Sequence, residues 1–208
     1  MKRRTLDIIF SAVGLVVAAL LLVLGLVLQS QADFAKSYVT DQLTAQKIVF
    51  TPADKLTDEE KSATCIVTNA SQPLTTGKQA ECYANNYIGL HLTETNDGKT
   101  YSQTSTESRA AAAAAKAATD SGAADAADLT AQAKVVSGKV ETLFKGETLR
   151  GLLLTSYGFS IFGERAQQAA YVMYGFALVM LIASIVGFFH AFTTSKDDVV
   201  LVETHSTT

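Results

Sequence analysis

Ile8-Ile9-Phe10-Ser11-Ala12-Val13-Gly14-Leu15-Val16-Val17-Ala18-Ala19-Leu20-Leu21-Leu22-Val23-Leu24-Gly25-Leu26-Val27-Leu28 carries no charged side chain over 21 consecutive positions. Coiled as an α-helix, a run of that length crosses the ~30 Å hydrocarbon core of a bilayer. Residues 169–189 form a second uncharged apolar run near the other end of the chain. Two such runs predict a mainly α membrane protein, with two transmembrane helices flanking a small, disulfide-tied helical domain outside the cytoplasm. The expected organisation is a cytoplasmic N-terminus at 1–7, a first span at 8–28, an extracytoplasmic region at 29–168, a second span at 169–192 and a cytoplasmic tail at 193–208.

The orientation follows from charge. Lys2, Arg3 and Arg4 precede the first span and Lys196 follows the second, and short flanks rich in Lys and Arg stay on the cytoplasmic side. The N-terminal cluster carries most of this argument, because Asp197 and Asp198 follow Lys196 directly. An alternative reading makes 8–28 a cleaved signal peptide ending at the small residues Ser30-Gln31-Ala32. Its apolar run exceeds the 7–15 residues usual in such a core, which favours an uncleaved anchor. Both readings export the middle of the chain.

Cys65 and Cys82 are the only cysteines, and both fall in that middle region. An even pair in an exported segment reads as one disulfide. Closing a loop of this length contributes ~3 kcal/mol in the chain-entropy picture. Two free thiols, or half of a metal site, are the alternatives; the pair lacks CxxC spacing and has no neighbouring histidine cluster. The formal net charge is −3, with no basic stripe, so nucleic-acid binding has no electrostatic footprint. Only two prolines occur, both before residue 75, which argues against a turn-rich all-β module.

Local patterns divide the exported region. Phe34, Tyr38, Leu43 and Ile48 continue at helical spacing beyond the first span, and Ile48-Val49-Phe50 before Thr51-Pro52 reads as extended. Thr57 with Glu60 three residues on is a capping box that opens a short helix. Asn69 through Gly77 is a loop by composition. From Gln79 to Glu94 the pattern is helical, with Ala80, Tyr83, Tyr87 and Leu90 on one face and Cys82 and Ile88 beside it, until Asn96-Asp97-Gly98 makes a turn. The interval 110–133 is an Ala-rich spacer, interrupted at Thr119-Asp120-Ser121-Gly122. In 147–163, Leu149, Leu152, Leu153, Tyr157 and Ile161 form an apolar stripe that Phe159 and Phe162 widen. That stripe fits an amphipathic helix in the outer headgroup layer, bending into the second span near Gly163, or equally a face packed on the exported domain.

Three blocks carry a resemblance. They are Val39-Thr40-Asp41-Gln42-Leu43-Thr44-Ala45-Gln46-Lys47-Ile48 with Phe50-Thr51-Pro52, then Ala84-Asn85 through His91-Leu92 into Gly98-Lys99-Thr100-Tyr101-Ser102. The third and most distinctive is Thr142-Leu143-Phe144-Lys145-Gly146-Glu147-Thr148-Leu149-Arg150-Gly151-Leu152-Leu153-Leu154. Together they resemble a group of uncharacterised two-span membrane proteins of actinobacteria. Some of its members are labelled aromatic ring-opening dioxygenases. That chemistry requires an iron site, typically two histidines and a carboxylate with open positions. The three histidines here are His91, His190 and His205, and the expected topology puts the first outside and the other two at or beyond the inner end of the second span. Zinc hydrolysis fails on the same separation.

Other motifs are no stronger. Gly98-Lys99-Thr100 ends like a P-loop, but Thr93 stands where the first glycine belongs. No Gly-x-Ser-x-Gly elbow is present. Asp58, Glu59 and Glu60 read as a solvated acidic run, and Asn69-Ala70-Ser71 matches a glycosylation acceptor only in form. Neither span holds an Asp, Glu, Lys or Arg at membrane depth for an ion or proton path, and His190 sits at the inner end of the second. Gly14-x-x-x-Ala18 and Ala183-x-x-x-Gly187 are small-residue pairs suited to close packing, first of all between the two spans.

The expectation is a non-enzymatic envelope protein without cofactor or metal, an accessory or scaffold subunit of a larger membrane assembly. Its partners are the lipid bilayer and a membrane protein or a second copy. The candidate contact surfaces are Tyr83, Tyr87 and His91 on one side and Arg150, Leu153, Tyr157 and Phe162 on the other. The alternative is a sensor module for an envelope ligand or lipid.

Overall fold

The computed structural model describes residues 2–193 and Ser195. Lys196, Asp197, Asp198, His205 and nearly all of the expected tail lie outside the described residues. In order, the chain forms α1 (Arg3–Ala45), a 3-10 turn (Ala53–Lys55), α2 (Asp58–Lys61), α3 (Thr64–Thr68), α4 (Gly77–Cys82), a π-helical turn (Tyr83–Ile88), α5 (Gly89–Thr95), α6 (Tyr101–Ser121) and α7 (Ala126–Thr193). No sheet forms among the described residues; an isolated antiparallel bridge joins Val49 to Pro73. The chain divides into two compact units. One is Ser37–Ile161, and the other comprises the described residues on either side of it.

In that flanking unit, α1 and α7 contribute helices long and apolar enough to cross a membrane, with mean window hydropathies of 2.9 and 2.3. Only 22% and 11% of those windows are buried within the protein, where the core helix of a water-soluble domain is mostly buried. The two helices meet along small residues. Gly14 lies against Ser184, Gly187 against Ser11, Gly25 against the Tyr174 ring and Gly163 against Ala35. The buried positions recur every seven residues: Ser11, Ala18, Gly25 and Ala32 on α1, and Gly163, Ala170, Ala177, Ser184 and Ala191 on α7. A seven-residue repeat keeps one seam facing the partner helix, and small side chains bring the backbones together. Gly14 and Ala18 thus pack within the chain, as their spacing suggested. Ala183 does not, because it is exposed while Ser184 and Gly187 occupy the seam. At one end of the pair, His190 Nδ1 lies 2.9 Å from Asp7 Oδ2, and the Arg4 guanidinium sits over the Phe192 ring at 5.8 Å.

The other unit is built around a continuous core. Val39 and Leu43 from α1, Phe50, Leu56, Ile66 and Leu74 from the following turns, Ala80, Ala84, Ile88 and Leu92 from α4 to α5, and Leu143 and Leu153 from α7 all contribute. Lys47 takes a left-handed conformation (φ 53°) that ends α1, and residues 48–50 then run extended. There Phe50 N–H donates to Gln72 O (3.0 Å) and Leu74 N–H to Ile48 O (2.9 Å). The Cys65–Cys82 disulfide forms and ties α3 to α4.

Three capping boxes start helices: Thr57 with Glu60, Thr76 with Gln79 and Thr100 with Gln103. In each, the threonine hydroxyl accepts the N–H three residues on, satisfying a donor left free at the helix start. The Ala-rich stretch is broken where its composition suggested: α6 ends on Gly122 (φ 65°), with Ala123 N–H donating back to Ala118 O at 2.9 Å. The positive φ and the reach back over five residues make a glycine-terminated helix end that satisfies a carbonyl left free by the last turn.

Two expected features differ. Residues 147–163 are not a separate helix; they belong to α7, which continues through Gly163. The stripe expected on one face splits, with Leu153 in the core, Tyr157 half-buried, and Leu149, Leu152, Phe159 and Phe162 exposed. The face of the 79–94 helix is also turned. Ala80, Ala84, Ile88 and Leu92 point inward at four-residue intervals, and Tyr83 and Tyr87 flank them. The π turn accounts for the shift, because an extra residue in the turn rotates everything that follows.

Candidate functional site

Tyr83, Tyr87 and His91 stand in a ladder of rings. Phe50 meets Tyr83 edge-on at 5.2 Å, Tyr83 stacks on Tyr87 at 4.6 Å, and Tyr87 meets His91 at 4.6 Å. The ladder begins in the core and ends at the surface. His91 Nε2 lies 3.6 Å from Glu60 Oε1, and the other carboxylate oxygen accepts the Thr57 N–H at 2.7 Å. Glu60 therefore joins the α2 cap to α5 while nearly fully buried. Burial pushes the Tyr83 hydroxyl above its ordinary range, and Tyr87 and then Glu60 reinforce the shift.

Arg150 lies on another side of the same unit, in a cleft of about 460 Å³ between α2, the π turn with α5, the turn before α6, and α7. Its Nη2 donates to Asn85 Oδ1 (3.2 Å) and its Nη1 to Glu147 Oε2 (3.3 Å). Nε is covered by the chain and has no hydrogen-bond partner among the described residues. A Cβ on Gly89 would come within 3.7 Å of that nitrogen, so the guanidinium lies close over the α5 backbone. Leu92 and Leu143 form the apolar floor, and Asn85, Asn86, Glu59 and Lys99 stand around the rim.

Beside the cleft, Asn96 is buried and fully engaged. Its amide nitrogen donates to Thr104 Oγ1 (3.0 Å) and Glu107 Oε2 (3.2 Å), and its oxygen accepts from Lys139 Nζ (2.9 Å). Lys99 pairs with Glu107 at 3.0 Å. Hydrogen bonds from Lys99 and then Asn96 hold the Glu107 carboxyl below the ordinary carboxylate range. The network ties the end of α5 to α6 and α7.

No family model, curated protein or solved structure matches the chain.

The expected contact residues thus separate. Tyr83, Tyr87 and His91 share one ladder. Arg150 belongs to the cleft and Leu153 to the core of the disulfide-tied unit, and Phe162 is an exposed ring of the flanking unit. Tyr157 lies on α7 where a Cβ at Gly77 would press against it. Among the described residues, no three His, Cys, Asp or Glu side chains are grouped to hold a metal ion. The Asn96 network and the cleft were not anticipated. Only the polar turn at Asn96-Asp97-Gly98, followed by a second Thr-x-x-Gln box, marks the place in the sequence.

Proposed function

We propose that the chain is a two-pass protein of the actinobacterial cell envelope, with both termini in the cytoplasm and the disulfide-tied unit outside. Its role is that of a non-enzymatic accessory or scaffold subunit of a larger membrane assembly. The observation that carries this reading is the pairing of the apolar stretches of α1 and α7 through small residues, which leaves most of the large apolar side chains of those stretches exposed. Such a surface is stable only in lipid or against another apolar surface. Exposed Leu149, Leu152 and Phe159 extend apolar surface along the part of α7 within the disulfide-tied unit, where a partner's matching face would bind.

Capture of the tagged full-length chain from native membranes in mild detergent, followed by mass spectrometry, tests the role. A defined, near-stoichiometric set of membrane proteins is the expected result. Recovery of the chain alone contradicts an accessory role.

A further inference from the structure

We infer that the Arg150 cleft is a binding site for a short peptide with free ends, holding its C-terminal carboxylate on Arg150 and its ammonium on Glu59. The inference is independent of the accessory role and stands or falls without it. Four observations support it. The first is size: about 460 Å³ lies within the range of small-ligand sites.

The second is charge. Two cations, Arg150 and Lys99, and two carboxylates, Glu59 and Glu147, line the cleft, so a neutral ligand carrying both signs matches it. A phosphate dianion would meet two carboxylates as well as the cations, which disfavours it. Lys99 is occupied by Glu107, whereas Glu59 has no ion-pair partner among the described residues. Arg150 is paired too, with Glu147, but at the longer distance of 3.3 Å, so it is the more readily engaged cation, and Glu59 is the unpaired anion.

The third is the state of the guanidinium. Arg150 uses one N–H of each terminal nitrogen, at the long distances of 3.2 and 3.3 Å, and its Nε is covered by the chain. One N–H on each of Nη1 and Nη2 remains for an end-on, two-point contact with a carboxylate.

The fourth is the wall. Asn85 and Asn86 of the π turn both line the cleft, and a π turn inside a helix is frequently found at functional sites. The Asn85 amide nitrogen and the Asn86 amide oxygen make no hydrogen bond among the described residues. An unused donor on Asn85 and an unused acceptor on Asn86 are the kinds of group that a peptide's C=O and N–H bond to. The lining contains no aromatic ring, so a sugar has no face to stack on.

The test is calorimetric titration of the full-length protein in nanodiscs with Ala-Ala-Ala, its C-terminal amide and its N-acetyl form. Saturable binding of the free tripeptide is expected, with each blocked form at least ~10-fold weaker. Arg150→Gln should weaken the free peptide as much as amidation does and leave the amide unaffected. Glu59→Gln should do the same for the acetyl form. Because the three ligands are compared on the unaltered protein, the result does not depend on whether a variant folds. Equal heats from all three forms, or no saturable heat up to ~10 mM of the free tripeptide, overturn the proposal.

Discussion

Single glycines in α7 offer a sharp test, because neighbouring ones meet different surroundings. A Cβ at Gly146 would run into the Leu92 side chain, whereas at Gly151 it would meet open space. Gly146→Ala should therefore destabilise by ~1–3 kcal/mol through overpacking, and Gly151→Ala should stabilise by ~0.5–1 kcal/mol by restricting the unfolded chain. Thermal unfolding of the two variants in the same detergent should shift in opposite directions. Glu107 gives a pH test. Its carboxyl titrates below the ordinary range because Lys99 and Asn96 bond it. A lowered acid contributes stability that is fully present above its unfolded value and disappears as pH falls through its folded one. Lys99→Met should flatten this part of the acid limb and leave stability changes above pH ~7 unaffected by Glu107 titration. A variant whose acid limb matches the parent's would contradict the pairing. Neither Asn96 nor Lys139 was legible as a partner, since 43 residues separate them and no local pattern spans that distance.

At the scale of elements, signals held in a few adjacent residues form where the sequence places them. The Thr57 box, the turn at Asn96-Asp97-Gly98 and the break before Gly122 each depend on a few adjacent residues, and each forms where the sequence suggests. The Thr76 and Thr100 boxes carry a Thr-x-x-Gln signature as local as the Thr-x-x-Glu of the Thr57 box. Thr57→Ala should cost ~1 kcal/mol, as Thr100→Ala should, and a helical content that melts unchanged would remove the caps from the account. The inward face of 79–94 was legible only in part, because the π turn is a tertiary accommodation that spacing rules assume away. The stripe on α7 likewise mixed two faces, Leu153 inward and Leu152 outward, since adjacent leucines cannot reveal which one is covered. The seam between α1 and α7 is testable by oxidative cross-linking. Gly14→Cys with Ser184→Cys should join readily, while Val16→Cys with Ser184→Cys should not, because Val16 is 58% exposed.

For the whole molecule, composition and the two apolar runs carried the class, the Cys65–Cys82 pair carried the staple, and the function had no comparable signal. The cleft is assembled from four separate stretches of chain, so no window of sequence contains it. The central claim is that the disulfide-tied unit lies outside a membrane that α1 and α7 cross. It is tested most directly by adding a membrane-impermeant maleimide to intact cells that express Ser137→Cys or Thr5→Cys, both exposed positions. The native cysteines are paired and do not react. The account predicts that Cys at 137 is labelled in intact cells and Cys at 5 only after permeabilisation; labelling of position 5 from outside, with 137 protected, would contradict it.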